Sequence, residues 1–264
     1  MRKNLLREKL KAGKPTIGTH IQSTDPGMLE LMALTGVVDY IEFVGPYAPY
    51  DLYWLDTVAR ITELHNISST LKVDQSIQEF QAQRAISSGI QGILFTDIRS
   101  VEDAKACVRA VRPDTPLAGG RMGARMYRDT RYYLDCASAA SVQGYNDVLV
   151  ELMIEKRGAV DQLEEILAVE GIDMIQFGPA DYSISTGVPG QRGSAPIKEV
   201  ERKVIRTALE RGVAVRVDLL GTETLEECQE YVDMGVRHFC TGFEFVVIHR
   251  WLNENAPKLR ALVE

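Results

Sequence analysis

Two carboxylates, Glu155 and Asp181, are the first candidates for chemistry because of their spacing. They lie 26 positions apart, which is about one strand-plus-helix repeat, so a repeating βαβ chain would place them at adjacent strand ends. Carboxylates with few His or Cys nearby form an oxygen-rich site that suits Mg²⁺ or Mn²⁺. In the alternative interpretation, Glu155 pairs with Lys156 or Arg157 on the surface and Asp181 caps a turn.

Three further ionisable side chains fall within apolar segments. His20 ends the first such segment, and histidine titrates near neutral pH, so we expect it to act as a catalytic group in its neutral form. The alternative is a structural histidine bonded to a nearby carbonyl. Glu42 would be costly to bury without a partner. Lys72 on the neighbouring strand is its expected partner, so a purely structural Glu42–Lys72 ion pair is also possible.

The elements that must position these residues are short apolar runs separated by helix-like stretches. Most of the runs are continuous rather than alternating, which is typical of a parallel sheet covered on both faces. Eight strands are predicted: Thr16–His20, Tyr40–Val44, Ser69–Val73, Gly92–Phe95, Val148–Ile154, Met174–Phe177, Ala214–Val217 and His238–Thr241.

The intervening stretches have helical spacing. Two of them begin with an N-cap residue and an acid three positions on, Ser100 with Asp103 and Thr224 with Glu227. The predicted helices are Pro26–Leu34, Ile77–Ser87, Val101–Val111, Ala159–Val169, Ile197–Glu210 and Leu225–Met234. On the helix Pro26–Leu34, the inward-facing residues are predicted to be Met28, Leu31, Met32 and Leu34. On the helix Ile77–Ser87, they are predicted to be Phe80 and Ile86. The long segment 113–144 is expected to be an extended loop plus a helix.

Repeated strand–helix units without a Gly/Pro-rich linker predict one (β/α)8 TIM barrel over residues 1–264. Chemistry in this fold lies at the carboxyl ends of the strands. Glu151, Met153 and Glu155 should share one face of the fifth strand, because side chains alternate along a strand. The loop from Gly178 onward could hold a carboxylate or phosphate with its backbone N–H groups.

Composition excludes several classes of protein. The 264 residues carry 37 acidic and 30 basic side chains, a formal charge of −7, which argues against a nucleic-acid partner or an anionic membrane surface. No apolar run is long enough to span a membrane. The four scattered cysteines form no zinc motif, and the first residues lack a signal-peptide core, so we expect a cytoplasmic protein.

Several motifs resemble the HpcH/HpaI aldolase family. The most specific is Gly178-Pro179-Ala180-Asp181 at its distance from Ile154-Glu155. Further similar stretches are Val169-Glu170-Gly171-Ile172-Asp173, Gly120-Arg121-Met122-Gly123, and Gly45 followed by Ala48-Pro49. Together they extend from about Gly18 to the final strand.

The resemblance implies a (β/α)8 barrel that assembles as a homo-oligomer, a trimer or hexamer. It implies cleavage or formation of a carbon–carbon bond beside a 2-oxo acid, a small carboxylate, with a divalent metal that stabilises the enolate. Glu155 and Asp181 would be the metal ligands, and the backbone of Gly178, Pro179 and Ala180 would lie against the substrate carboxylate.

The sequence departs from the family pattern at several positions. Tyr47 stands where the family has a histidine that assists proton transfer, with Pro46 and Val44 in place of two acids before it. Lys72 replaces an arginine that clamps the substrate, and Met153 replaces a glutamine. Lysine keeps the charge but loses the guanidinium fork. A tyrosine hydroxyl is a poor base at neutral pH but can donate a hydrogen bond.

The leading hypothesis is therefore a metal-dependent carbon–carbon lyase. In it, Lys72 stabilises the enolate, Tyr47 or His20 moves the proton, and Met153 and Glu42 line the substrate site. A decarboxylase of an oxaloacetate-like acid is one alternative, because decarboxylation yields an enolate without a base. The others are a Schiff-base aldolase that uses Lys72 and a non-catalytic ligand-binding barrel.

Overall fold

The computed structural model describes residues 1–221 and 223–264. Eight parallel strands form a closed barrel in which each strand pairs with the next along the chain and β8 pairs with β1. The strands are β1 Thr16–Ile21, β2 Tyr40–Val44, β3 Ser68–Val73, β4 Gly92–Phe95, β5 Leu149–Ile154, β6 Met174–Phe177, β7 Ala214–Leu219 and β8 His238–Phe243.

Helices cover the outside of the barrel. They are α1 Leu5–Lys11, α2 Pro26–Leu34, α3 Leu52–Leu64, α4 Gln78–Ser88, α5 Val101–Val111, α6 Ala139–Asn146, α7 Arg157–Asp161, α8 Leu163–Leu167, α9 Pro179–Ser185, α10 Ala195–Glu210, α11 Leu225–Asp233 and α12 Glu244–Arg260. Within the described part of the chain, none of these helices is both long and apolar enough to cross a membrane.

The predicted (β/α)8 barrel is confirmed, and all eight predicted strands are present. Both expected capping boxes form, Ser100 with Asp103 and Thr224 with Glu227. The main difference among the strands is that β7 and β8 each run two residues further than predicted. For β7, this extension brings Asp218 into the sheet.

Three helix predictions are wrong in detail. The stretch predicted as one helix over Ala159–Val169 forms two short helices, α7 and α8. On α4, Phe80 is exposed over Arg84 rather than inward, although Ile86 is buried. On α2, Leu29 and Ala33 are the buried residues, because residues four apart share a helix face; Leu31 and Leu34, predicted inward, are exposed.

The bottom of the barrel is filled by apolar side chains. Leu6 from α1 closes this end against Tyr40, Leu149 and Cys240. Tyr40 also fills the space beside Gly18, where an added Cβ would come within 2.2 Å of the tyrosine ring. This packed floor leaves the opposite end, at the carboxyl ends of the strands, for the site.

The middle of the barrel is polar and centred on Arg216 of β7. Its Nη1 lies 2.6 Å from Glu42 Oε2 and 3.1 Å from Glu151 Oε2, and its Nε donates to Gln176 Oε1 at 2.7 Å. The expected Glu42–Lys72 ion pair is therefore wrong. The register places Glu42 beside Thr70, which donates to it, and Arg216 reaches it across the barrel.

The buried carboxyl group of Glu151 should make the stability of the protein depend on pH. Burial raises the pKa of Glu151 from 4.5 to about 7, although Arg216 opposes the shift. A carboxyl that holds its proton more tightly when folded makes the free energy of unfolding fall as pH rises from about 4.5 to about 7. We expect Glu151→Gln to reduce this fall, measured by urea unfolding across the range. Identical pH profiles for the two proteins would contradict the assignment.

Candidate active site

A cavity of about 420 Å³ opens at the carboxyl ends of the strands. Strands β3, β5 and β7 direct side chains into it, and the turn between β6 and α9 forms part of its wall. The sequence-predicted residues that line it are Tyr47, Lys72, Met153, Glu155, Gly178, Pro179, Ala180 and Asp181. The structure thus brings eight of the ten predicted site residues together, and the other two, His20 and Glu42, are buried and do not line the cavity.

Glu155 is held just beyond the end of β5. It is 4% exposed, and its Oε1 accepts a hydrogen bond of 2.8 Å from the backbone N–H of Asp97. Burial raises the pKa of Glu155, although the Asp97 N–H and the Lys72 charge oppose the shift. Its Oε2 faces Gly178, where an added Cβ would come within 2.6 Å of it. A glycine is therefore required at position 178 by this close approach.

Asp181 lies in the first turn of α9, and its partner is Lys156. The Lys156 Nζ is 2.7 Å from Asp181 Oδ1 and 2.6 Å from Asp97 Oδ1. An ion pair between Glu155 and Lys156 is the alternative to a metal site that the sequence left open, and Lys156 does form an ion pair. Its partner is Asp181 rather than Glu155, and the pair lies at the cavity rather than away from it.

Lys72 and Tyr47 form a second polar group in the cavity wall. Lys72 is mostly buried, and its Nζ donates to the Tyr47 hydroxyl at 3.2 Å. Burial lowers the pKa of Lys72, but Tyr47 and the carboxylates of Glu155 and Glu42 raise it by more. The ammonium is therefore charged at neutral pH. The Tyr47 side chain is 52% exposed and stands at the mouth of the cavity.

His20 does not reach the cavity. Its side chain is 0% exposed and stacks on Phe243, with 4.1 Å between the ring centroids. Its Nε2 lies 2.9 Å from Asp218 Oδ1, and its Nδ1 is 3.2 Å from the carbonyl oxygen of Gly242. Asp218 itself lines the cavity and accepts a hydrogen bond from Gln176. His20 therefore holds the Asp218 carboxylate through a direct contact.

The Asp218 carboxylate favours the protonated form of His20, in contrast to the neutral imidazole that the sequence predicts, and the catalytic role of His20 stays a prediction. Burial lowers the pKa of His20, but Cys240 and Asp218 raise it by more, so it stands well above 6.5. The Cys240 thiol has its own pKa raised by burial and is uncharged at neutral pH, so the Asp218 carboxylate is what keeps His20 protonated. Burial also raises the pKa of Asp218, but His20 lowers it by more.

Sequence reasoning missed Asp218, Gln176 and Arg216. The signal was present, because Arg216 and Asp218 alternate along a segment predicted to be a strand of a closed barrel, where one face must point inward. Charged residues at two successive inward positions indicate a polar interior. Glu42, which was predicted to contact the substrate, forms an ion pair with Arg216 in this polar interior.

The carboxylates at the cavity fit a divalent cation. No hydrogen bond from any described residue reaches Glu155 Oε2, and Asp181 remains partly accessible beside it in the cavity lining. Within residues 1–221 and 223–264, no cluster of three or more His, Cys, Asp or Glu could hold a metal ion. The protein would then supply two carboxylates, a number that suits an ion that keeps waters or substrate oxygens.

The family is identified by comparison with known sequences. The family model of HpcH/HpaI aldolase/citrate lyase matches residues 54–247, which is more than half of the chain. The chain therefore belongs to the HpcH/HpaI aldolase/citrate lyase family, and its general activity is that of an aldolase-type carbon–carbon lyase.

Individual relatives agree with this assignment. A hydroxypyruvate/pyruvate aldolase of Roseovarius nubinhibens is 24% identical over 97% of each chain. A 2-keto-3-deoxy-L-rhamnonate aldolase of Escherichia coli strain HS is 30% identical over 85% of this chain and 82% of its own length. The crystal structure of an HpcH/HpaI aldolase from Desulfitobacterium hafniense has the same fold, with a TM-score of 0.85 and 23% identity over 98% and 97% of the two chains.

The close approach of Glu155 to Gly178 predicts that a methyl group added at position 178 destabilises the fold. We expect Gly178→Ala to lower the free energy of unfolding by about 1–3 kcal/mol, the usual cost of overpacking. Gly193→Ala is the matched control, because Gly193 also lines the cavity but an added Cβ there meets nothing within 4 Å. Urea unfolding of both variants measures the difference. Equal stabilities would show that Glu155 has room to move.

Proposed function

We propose that this protein is a divalent-metal-dependent carbon–carbon lyase that acts on a 2-oxo acid through an enolate. The observation that carries the proposal is the convergence of Glu155, Asp181 and Lys72 on one cavity, with the Glu155 carboxylate buried and one of its oxygens unbonded. Names of relatives support the substrate class, because pyruvate, hydroxypyruvate and 2-keto-3-deoxy-L-rhamnonate are all 2-oxo acids.

The two carboxylates would hold the cation. Glu155 is fixed by the Asp97 N–H at one oxygen, which leaves Oε2 for a ligand, and Asp181 supplies a second anionic oxygen from α9. A bound Mg²⁺ or Mn²⁺ would supply Lewis-acid polarisation of the 2-oxo group. The backbone of Gly178, Pro179 and Ala180 lines the same cavity and would receive the substrate carboxylate.

Lys72 would stabilise the negative charge of the enolate. Its ammonium is held against the Tyr47 hydroxyl, so a substrate oxygen between them would meet one charged donor and one neutral donor. Fixed donors aimed at developing charge are among the largest contributions to catalysis. The charged state of Lys72 argues against the Schiff-base alternative, because a nucleophilic lysine must be deprotonated.

Proton transfer would use groups different from the family's usual histidine. Tyr47 is exposed at the mouth and can donate a proton to a substrate oxygen or to water. Asp218 faces the cavity with the protonated His20 behind it at 2.9 Å. This pair can pass a proton outward through Asp218 and take one back, so His20 acts as the partner of Asp218 rather than as a direct contact.

A decarboxylase of an oxaloacetate-like acid is the second candidate. It is favoured by the 2.9 Å contact between His20 Nε2 and Asp218 Oδ1, because this carboxylate favours the protonated imidazole, a proton donor rather than a base. Decarboxylation needs only an acid to protonate the enolate. Turnover of oxaloacetate without any aldol cleavage or synthesis would favour this candidate, whereas aldol activity at a comparable rate would favour the first.

The metal ligands provide the direct test. We expect Glu155→Gln and Asp181→Asn each to weaken Mn²⁺ binding by more than roughly 10–100-fold, which is the usual effect of losing a residue that only hydrogen-bonds to a metal ligand. Both variants should also lose the metal-stimulated release of pyruvate from aldol substrates. Hard cations prefer anionic oxygens over amides. Binding is measured by calorimetric titration, with the exposed Glu165→Gln as control. Full metal-stimulated turnover in either site variant would refute the proposed site.

Lys72 and Tyr47 should differ in importance. We expect Lys72→Ala to raise the barrier by about 2–4 kcal/mol and Tyr47→Phe by roughly 1 kcal/mol, because the first removes a charged donor and the second a neutral one. Values of kcat/KM for the two variants measure the difference. Lys72→Arg should keep part of the activity if the role is electrostatic. The reverse order, with Tyr47→Phe inactive and Lys72→Ala nearly normal, would make Tyr47 the central acid.

A further inference from the structure

Lys156 occupies an unusual place beside the proposed metal ligands. It follows Glu155 directly in the chain, and its Nζ lies 2.6 Å from Asp97 Oδ1 and 2.7 Å from Asp181 Oδ1. The side chain is only 12% exposed. The ammonium therefore bridges two carboxylates that come from different strand–helix connections.

The carboxylates of Asp97 and Asp181 contact this ammonium, and Glu155 is joined to Asp97 by a hydrogen bond. Asp97 follows β4, Glu155 follows β5 and Asp181 follows β6, so they come from consecutive units of the barrel. Asp97 is linked to both of the others, through its N–H to Glu155 and through Lys156 to Asp181. Such a group of anions is costly to bring together without a cation.

Lys156 reaches this place because of its backbone. It is the residue before α7 and is extended, with φ −121° and ψ 146°, so its side chain points away from that of Glu155. Asp97 has a left-handed φ of 58°, a conformation that aspartate adopts more readily than most residues. These two backbone conformations bring the Lys156 ammonium and the Asp97 carboxylate to the rim of the cavity, next to Asp181 of α9.

We propose that Lys156 is a built-in cation that holds Asp181 and Asp97 together in the absence of metal and competes with a divalent ion for Asp181. This inference rests on the proposed metal site. Because Lys156 contacts Asp181 Oδ1, a metal bound by Asp181 would either displace the flexible lysine chain toward Asp97 or have a positive charge close by. Lys156 thereby sets the affinity of the site and keeps its ligands in place before the metal binds.

The Lys156 ammonium offsets the repulsion between the Asp97 and Asp181 carboxylates. In the proposed role, this ion pair keeps Asp181 in position on α9. The cost is that metal binding gains less free energy than two free carboxylates would provide.

The test is to replace the ammonium with a neutral side chain of similar reach. We expect Lys156→Gln to bind Mn²⁺ roughly tenfold or more tightly, because a nearby positive charge that opposes the metal has been removed. Without metal, the same variant should unfold at a lower temperature than the parent. The rise in unfolding temperature on adding Mn²⁺ should be larger in the variant, since tighter binding to the folded state stabilises it more.

Arg157→Gln is the matched control. Arg157 is the next residue, carries the same charge and pairs with Asp161 at the surface, so its loss should leave the Kd for Mn²⁺ unchanged. Unchanged or weaker Mn²⁺ binding by Lys156→Gln, with the parent protein binding normally, would overturn the inference while leaving the proposed function intact. If neither protein binds Mn²⁺, both the metal site and the inference fail.

Discussion

The buried guanidinium of Arg216 is the interaction on which the rest of the barrel interior depends. It neutralises Glu42 and Glu151 from two other strands, with all three groups almost completely removed from water. Breaking such a buried pair by removing one partner costs about 3–5 kcal/mol, because the remaining charge is left without compensation. Most small barrels fill this layer with branched apolar side chains, so this protein has a charged layer at a place where others have an apolar one.

The charged layer also positions the floor of the active site. Arg216 orients Gln176 through its Nε, Gln176 donates to Asp218, and Asp218 contacts His20. A chain of contacts therefore runs from the centre of the barrel to a carboxylate that faces the cavity. Because each member is held by its neighbour in a closely packed interior, the direction of Asp218 is fixed by this network of hydrogen bonds and ion pairs.

Charged groups at the cavity are arranged with partners close by. Asp181 pairs with Lys156 and Asp218 with His20, while Lys72 donates a hydrogen bond to the Tyr47 hydroxyl. In the proposed function, a 2-oxo acid that enters the cavity would meet the carboxylates proposed as metal ligands near the β6–α9 turn and the positive charge of Lys72.

The sequence by itself determined the barrel, its eight strands and the cavity-lining set from Tyr47 to Asp181, because short apolar runs and strand-end positions are local features that a repeating fold converts directly into geometry. Only the tertiary structure decided which charged groups pair. Glu42 is adjacent to the Lys72 strand, yet Arg216 reaches it from across the barrel. His20 contacts Asp218, which lies in the sheet because β7 runs further than its apolar pattern indicates. Closing the sheet brings distant strands face to face, and the distances across that interior are not encoded in any local pattern.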